Sequence, residues 1–239
     1  MFCTYFWGNA SAAEMESNNY RVQYSSVNTG GRPESSANYK LDETIGELGT
    51  GLGQSANYKM KAGYQQMQES FISITEAADV TMAPAIPGVS GGTATGSAAW
   101  TVLTDNFAGY SLTIRASTAP ALISGVNSFA DYTTILAGTP DFTWQVAATD
   151  SEFGFTIEGA DTNQKFLDNG IDCGIGGSDT SLSCWSSLST SQTSIAGSAT
   201  ANQPTGTLST VIFKAQSGAS HSQVAGTYTA TITVTATTL

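Results

Sequence analysis

Thr227-Tyr228-Thr229-Ala230-Thr231-Ile232-Thr233-Val234-Thr235-Ala236 alternates threonine with apolar or aromatic side chains over ten residues. A period of two is the spacing of a β-strand, whose successive side chains point to opposite faces of a sheet. The stretch therefore predicts one apolar face turned inward and one threonine face turned outward. Working back along the chain, further strands are expected at Phe71–Thr75, Ala99–Leu103, Tyr110–Ala116, Phe142–Ala148, Phe153–Glu158 and Leu208–Ala215. These segments are rich in β-branched and aromatic residues and are separated by Gly, Pro, Asp and Asn turns. About seven such strands define an all-β fold class, an Ig-like or jelly-roll-type antiparallel β-sandwich, over residues 71–239.

Composition narrows the function classes. The 239-residue chain carries 8 basic and 19 acidic residues, a formal charge of -11, so it has no basic footprint for nucleic acid or an anionic membrane. Its 40% hydrophobic content suffices for a core. The 29 serines and 33 threonines fit exposed strand faces better than helices. No stretch approaches the roughly 18–20 apolar residues of a membrane span. Phe2–Trp7 is apolar and Ala10-Ser11-Ala12 resembles a signal-peptidase site, so residues 1–13 read as the tail of an export signal. The competing reading is an ordinary hydrophobic N-terminal strand. Export places the protein outside the cell or on its surface, and the C-terminal Thr-Thr-Leu239 shows no sorting motif or anchor.

Residues 14–70 hold an internal repeat. Ser17-Asn18-Asn19-Tyr20-Arg21-Val22 recurs as Ser36-Ala37-Asn38-Tyr39-Lys40-Leu41 and as Ser55-Ala56-Asn57-Tyr58-Lys59-Met60, with the tyrosines 19 residues apart. Each unit predicts a short strand followed by a glycine-bearing turn, at Asn28–Gly31 and at Gly46–Gly53. Units of this size cannot bury a hydrophobic face alone. Tyr20, Val22, Tyr39, Leu41, Tyr58 and Met60 are accordingly the expected docking side chains. They belong either to edge hairpins on their own domain or to an arm that adds strands to a neighbouring subunit. A threonine-faced sheet with few lysines leaves its edges open to such pairing.

Chemistry has little to build on, and no enzyme is expected. The one histidine, His221, lies in a loop, where a solvated role outweighs a general base. Gly88-Val89-Ser90-Gly91-Gly92 matches G-x-S-x-G but lacks the strand before and helix after that the motif requires. Gly49-Thr50-Gly51-Leu52-Gly53 has no βαβ unit to receive a dinucleotide. No cofactor is expected. Calcium is the most credible ion, because Asp161, Asp168, Asp172 and Asp179 crowd one region with Asn163 and Asn169, although their spacing departs from an EF-hand loop. Lys165 and Lys214 are the only lysines available for an intramolecular isopeptide bond in this half, and snorkelling from a strand is the commoner role.

The segment from Asp161 to Gln203 is Ser/Gly-rich and reads as a long loop. Within it Cys173 and Cys184 are expected to form a disulfide, since two thiols without a nearby histidine make a poor zinc set. Cys3 lies in the export remnant. Trp185 either packs over that bridge or offers a face to a sugar.

The export remnant, the N-terminal strand arm and the sandwich ending in Gly226-Thr227-Tyr228-Thr229-Ala230-Thr231-Ile232 together resemble bacterial pilin-like, surface-filament β-sandwich subunits of the donor-strand type. The hairpin expected over Trp100–Ile114 is similar to those of such domains. The resemblance implies a homopolymer joined by donor-strand exchange, in which one subunit's N-terminal segment fills an open groove in the next. The leading expectation is thus a structural subunit of an extracellular filament or surface layer whose partner is itself. The alternative is a secreted adhesin module that binds carbohydrate or host cells through the region of Trp185.

Overall fold

The computed structural model describes residues 70–239 together with short strand segments between residues 15 and 62. The chain divides into two compact units, Met1–Ser70 and Phe71–Leu239. No helix among the described residues is long and apolar enough to cross a membrane. Residues 1–13 and Tyr39 lie outside the described residues.

In the first unit the strands form three separate hairpins. These are β1 (Met15–Ser17) with β2 (Tyr20–Val22), β3 (Pro33–Ser35) with β4 (Lys40–Asp42), and β5 (Gly51–Ser55) with β6 (Tyr58–Ala62). Their register corrects the expected unit. Ser17 pairs with Tyr20 and Ser55 with Tyr58, so the chain reverses inside the Ser-x-Asn-Tyr motif itself. Two intervening residues with Asn in second place suit a tight hairpin loop. Part of the stretch expected to turn, Gly51–Gly53, is strand.

The second unit is an all-β sandwich. Its larger sheet contains β7 (Ile72–Ile74), β8 (Gly92–Thr104), β12 (Ala130–Asp131), β13 (Ser151–Gly159) and β16 (Thr207–Ser217). They lie in the order β12-β13-β16-β8-β7, with β14 (Ser186–Ser187) also paired to β13. All these pairs are antiparallel except β12–β13. The smaller sheet has the order β15-β9-β17, from β15 (Thr193–Ser198), β9 (Tyr110–Ala116) and β17 (Ile232–Thr238). A two-residue hairpin, β10 (Ile123–Ser124) with β11 (Asn127–Ser128), lies apart from both.

The alternation that predicted the strands builds the core. On β9, Tyr110, Leu112, Ile114 and Ala116 are buried while the residues between them are not. On β16, Ser209, Val211, Phe213, Ala215 and Ser217 do the same. These faces meet Phe153, Phe155 and Ile157 of β13 and Val102 of β8 in one hydrophobic cluster. Tyr110 donates its phenol hydrogen to Asp161 Oδ2 at 2.7 Å, which satisfies the one polar atom of an otherwise apolar side chain.

A further layer covers the outer face of β13. Phe142–Ala148, expected as a strand, is not one. Its Trp144 instead stacks on Tyr132 with ring centroids 4.3 Å apart and meets Trp185 edge-on at 5.2 Å. Gly154 makes room for this layer: a Cβ there would stand 2.7 Å from Tyr132 Cβ and 2.8 Å from the Ser186 carbonyl oxygen. The strand expected near the C-terminus begins at Ile232, while Thr229 forms an isolated bridge with Ile123.

Candidate functional site

The edge strands β7 and β17 approach each other on one side of the sandwich, but beside them the two sheets leave a gap. An open groove of about 1370 Å³ runs between residues 74–86 and residues 223–234. Its floor is the inner face of the larger sheet, where it reaches Ala94, Ala98, Phe153, Phe213 and Ala215. The cause lies in β8. The inward positions of its first half are Ala94, Gly96 and Ala98, whereas Trp100 and Val102 follow in its second half. Small side chains leave the space that a leucine or phenylalanine row would fill. Over Gly96 that space is taken by Val80 and Met82, whose side-chain atoms lie 2.5 and 3.3 Å from where a Cβ would stand.

Both rims are strand edges. β17 ends the smaller sheet. The bonds from Ser117 N to Thr231 O (3.0 Å) and from Leu239 N to Gly109 O (3.2 Å) show that odd-numbered residues of β17 turn their main-chain groups toward β9. Ile232, Val234 and Ala236 therefore turn theirs to the outer edge, with half-buried apolar side chains. On the opposite rim, Thr95 of β8 exchanges both main-chain bonds with Ala83, and Thr101 O accepts from Thr75 N. Ser97 and Ala99, between them, share that edge.

Tyr228 marks the end of the β17 rim. Its ring meets Phe129 edge-on at 5.1 Å, and its hydroxyl donates to Val224 O while accepting from Gln223 Nε2. Among the described residues, the charged side chains that line the groove are Glu76 and Asp79, both acidic and exposed.

The other candidate residues are placed as follows. Cys173 and Cys184 form a disulfide, which fits an oxidising compartment. Beside it Asp168 is fully buried and accepts from Gly170 N, Thr180 N and Thr180 Oγ1. Burial alone would raise its carboxyl, but these hydrogen bonds outweigh that and hold it below the ordinary carboxylate value. Asp161 takes the Tyr110 hydroxyl and Asp179 the Gly159 amide, so the acids of this region serve separate hydrogen bonds. No set of three or more His, Cys, Asp or Glu side chains converges for a metal among the described residues.

Trp185 is 1% exposed and donates its indole hydrogen to Leu182 O, so its ring is a packing element. Lys214 lies over the rings of Trp144 and Trp185 at 5.3 and 5.0 Å, and burial lowers its ammonium from the usual lysine value. Lys165 is lowered for the same reason, over Phe166. His221 sits between Thr149 O (2.8 Å from Nδ1) and Gln223 Oε1 (3.1 Å from Nε2). Gly88–Ser90 is a turn that leads into β8.

Of the arm residues, Tyr20 and Val22 fall on β2, Leu41 on β4, and Tyr58 and Met60 on β6. Sequence reasoning named the apolar positions of β17 but not the groove beside them. The signal was present in the Ala-x-Gly-x-Ala run of β8, which alternates like a strand with nothing large to pack.

Fold and site together define an antiparallel β-sandwich with an open apolar groove between two strand edges. No family model, no curated protein and no solved structure matches this chain.

Proposed function

We propose that the protein is a structural subunit of an extracellular filament or surface layer, assembled by addition of N-terminal strands to the sandwich of a neighbouring copy. The observation that carries this reading is the groove beside β17, where Ile232 and Val234 are only half covered and where, among the described residues, β17 is the last strand of its sheet. An added strand gains main-chain hydrogen bonds along such an edge, and its alternate side chains fill the space over the floor. One subunit's strands in the next subunit's groove make a head-to-tail contact that does not close on itself, so it propagates into a fibre. The threonine-rich outward faces fit a protein that keeps its edges available for pairing.

Negative-stain microscopy of the purified full-length chain tests the reading. Fibres or ordered sheets are expected from the intact protein, and monomers or amorphous aggregates from a chain lacking residues 14–66. Filaments of normal appearance from the truncated chain would remove the arm as the connector.

A further inference from the structure

The three hairpins of the first unit differ in charge. On β1–β2, Arg21 is directly opposite Glu16, so the cation is compensated within the hairpin. On β3–β4, Lys40 is accompanied by Asp42 and Glu34. On β5–β6, Lys59 pairs with Gln54 and Lys61 with Leu52, and the ten strand residues include no acid. This third hairpin alone carries a net positive charge.

It also differs in shape. β6 is five residues long where β2 and β4 have three. In sequence, β6 alternates apolar residues with lysines, as Tyr58-Lys59-Met60-Lys61-Ala62. The register sets the small residues Ser55, Gly53 and Gly51 opposite Tyr58, Met60 and Ala62.

We propose that the occupant of the groove is the β5–β6 hairpin of a second copy, rather than the arm at large, a specification that rests on the strand-addition reading above. β6 extends the smaller sheet beyond β17, over the floor at Ala94 and Ala98. Lys59 and Lys61 bring positive charge to a rim whose acids Glu76 and Asp79 supply the opposite sign. Charge complementarity of this kind selects the third hairpin over the neutral first and acidic second, since like charge on the rim opposes the latter.

The test uses the full-length chain, with sedimentation and negative-stain microscopy as readouts and circular dichroism to confirm that each variant is folded. The double variant Lys59→Glu/Lys61→Glu is expected to lower the sedimentable fraction at least tenfold at low salt. Combining it with Glu76→Lys/Asp79→Lys restores assembly, whereas Arg21→Glu alone leaves assembly unchanged. Deletion of 50–66 abolishes fibres and deletion of 14–49 does not. Fibres that persist after deletion of 50–66 but vanish after deletion of 14–66 would overturn the choice of hairpin and leave strand addition standing. Fibres that survive both deletions would overturn strand addition itself, and an intact chain that never assembles would overturn both.

Discussion

Tyr110 and Tyr132 each donate a phenol hydrogen to a carboxylate, to Asp161 Oδ2 at 2.7 Å and to Asp141 Oδ2 at 2.9 Å. Burial, reinforced by the hydrogen bond to the acid and its negative charge, pushes both phenols well above the ordinary tyrosine value of about 10. A group whose folded pKa is raised contributes stability that is complete below its unfolded pKa and is lost as pH rises beyond it. These two tyrosines should therefore destabilise the fold progressively above about pH 10. Lys165 and Lys214, lowered by burial, act in the opposite sense, because the fold disfavours their charged forms. Comparison with variants separates the contributions. Tyr132→Phe is expected to cost about 1–3 kcal/mol at pH 8, since Asp141 loses a buried donor. Its stability deficit against the wild type should shrink as pH rises from 9 to 11, measured from denaturant midpoints. A deficit that stays constant across that range would show that the tyrosine does not titrate with unfolding. The Asp161 partner of Tyr110 was not legible in the sequence, because the two are brought together by the packing of segments 51 residues apart.

Strands were readable where their alternation was unbroken. β9 matches the expected Tyr110–Ala116, and β13 and β16 extend the expected segments by one or two residues at each end. β15 was missed, and its geometry says why. The register shifts between Ser194 and Ala196 in its pairing with β9, and the two residues it buries, Ile195 and Ala196, are adjacent. A bulge of that kind removes the period of two on which strand reading depends. Phe142–Ala148 failed in the other direction: its Trp144 stacks on Tyr132 and Phe142 packs against the core, but the backbone makes no ladder. The disulfide, by contrast, followed from composition alone. It spans 11 residues beside a segment also organised by buried Asp168, so Cys173→Ser/Cys184→Ser should remain folded. The loss expected from loop-closure entropy is about 3 kcal/mol. A calorimetric change below about 1 kcal/mol would mean that the Asp168 hydrogen bonds already constrain the loop in the unfolded ensemble.

At the scale of the whole molecule, a sandwich normally excludes water from between its sheets along its full length, and this one does so only in part. The closed part, around Leu112, Ile114, Phe155 and Val211, tolerates no extra volume. The open part, over Ala94 and Ala98, has a groove of about 1370 Å³ to receive it. Two substitutions of the same chemistry therefore separate. Ala116 is 2% exposed and belongs to the closed core, so Ala116→Leu is expected to cost about 1–3 kcal/mol through overpacking. Ala98, 9% exposed, also lines the groove, where an added leucine side chain has open space to extend into. Ala98→Leu should leave stability within about 1 kcal/mol of the wild type, in either direction. The same leucine occupies the space an incoming strand needs, so the variant should stay monomeric under conditions that assemble the wild type. Equal destabilisation by the two substitutions would mean that the groove closes in solution. A stable Ala98→Leu chain that still forms fibres would place the subunit contact elsewhere on the sandwich. This pairing of unchanged stability with lost assembly is what distinguishes a surface kept open for a partner from a packing defect, which filling would simply repair.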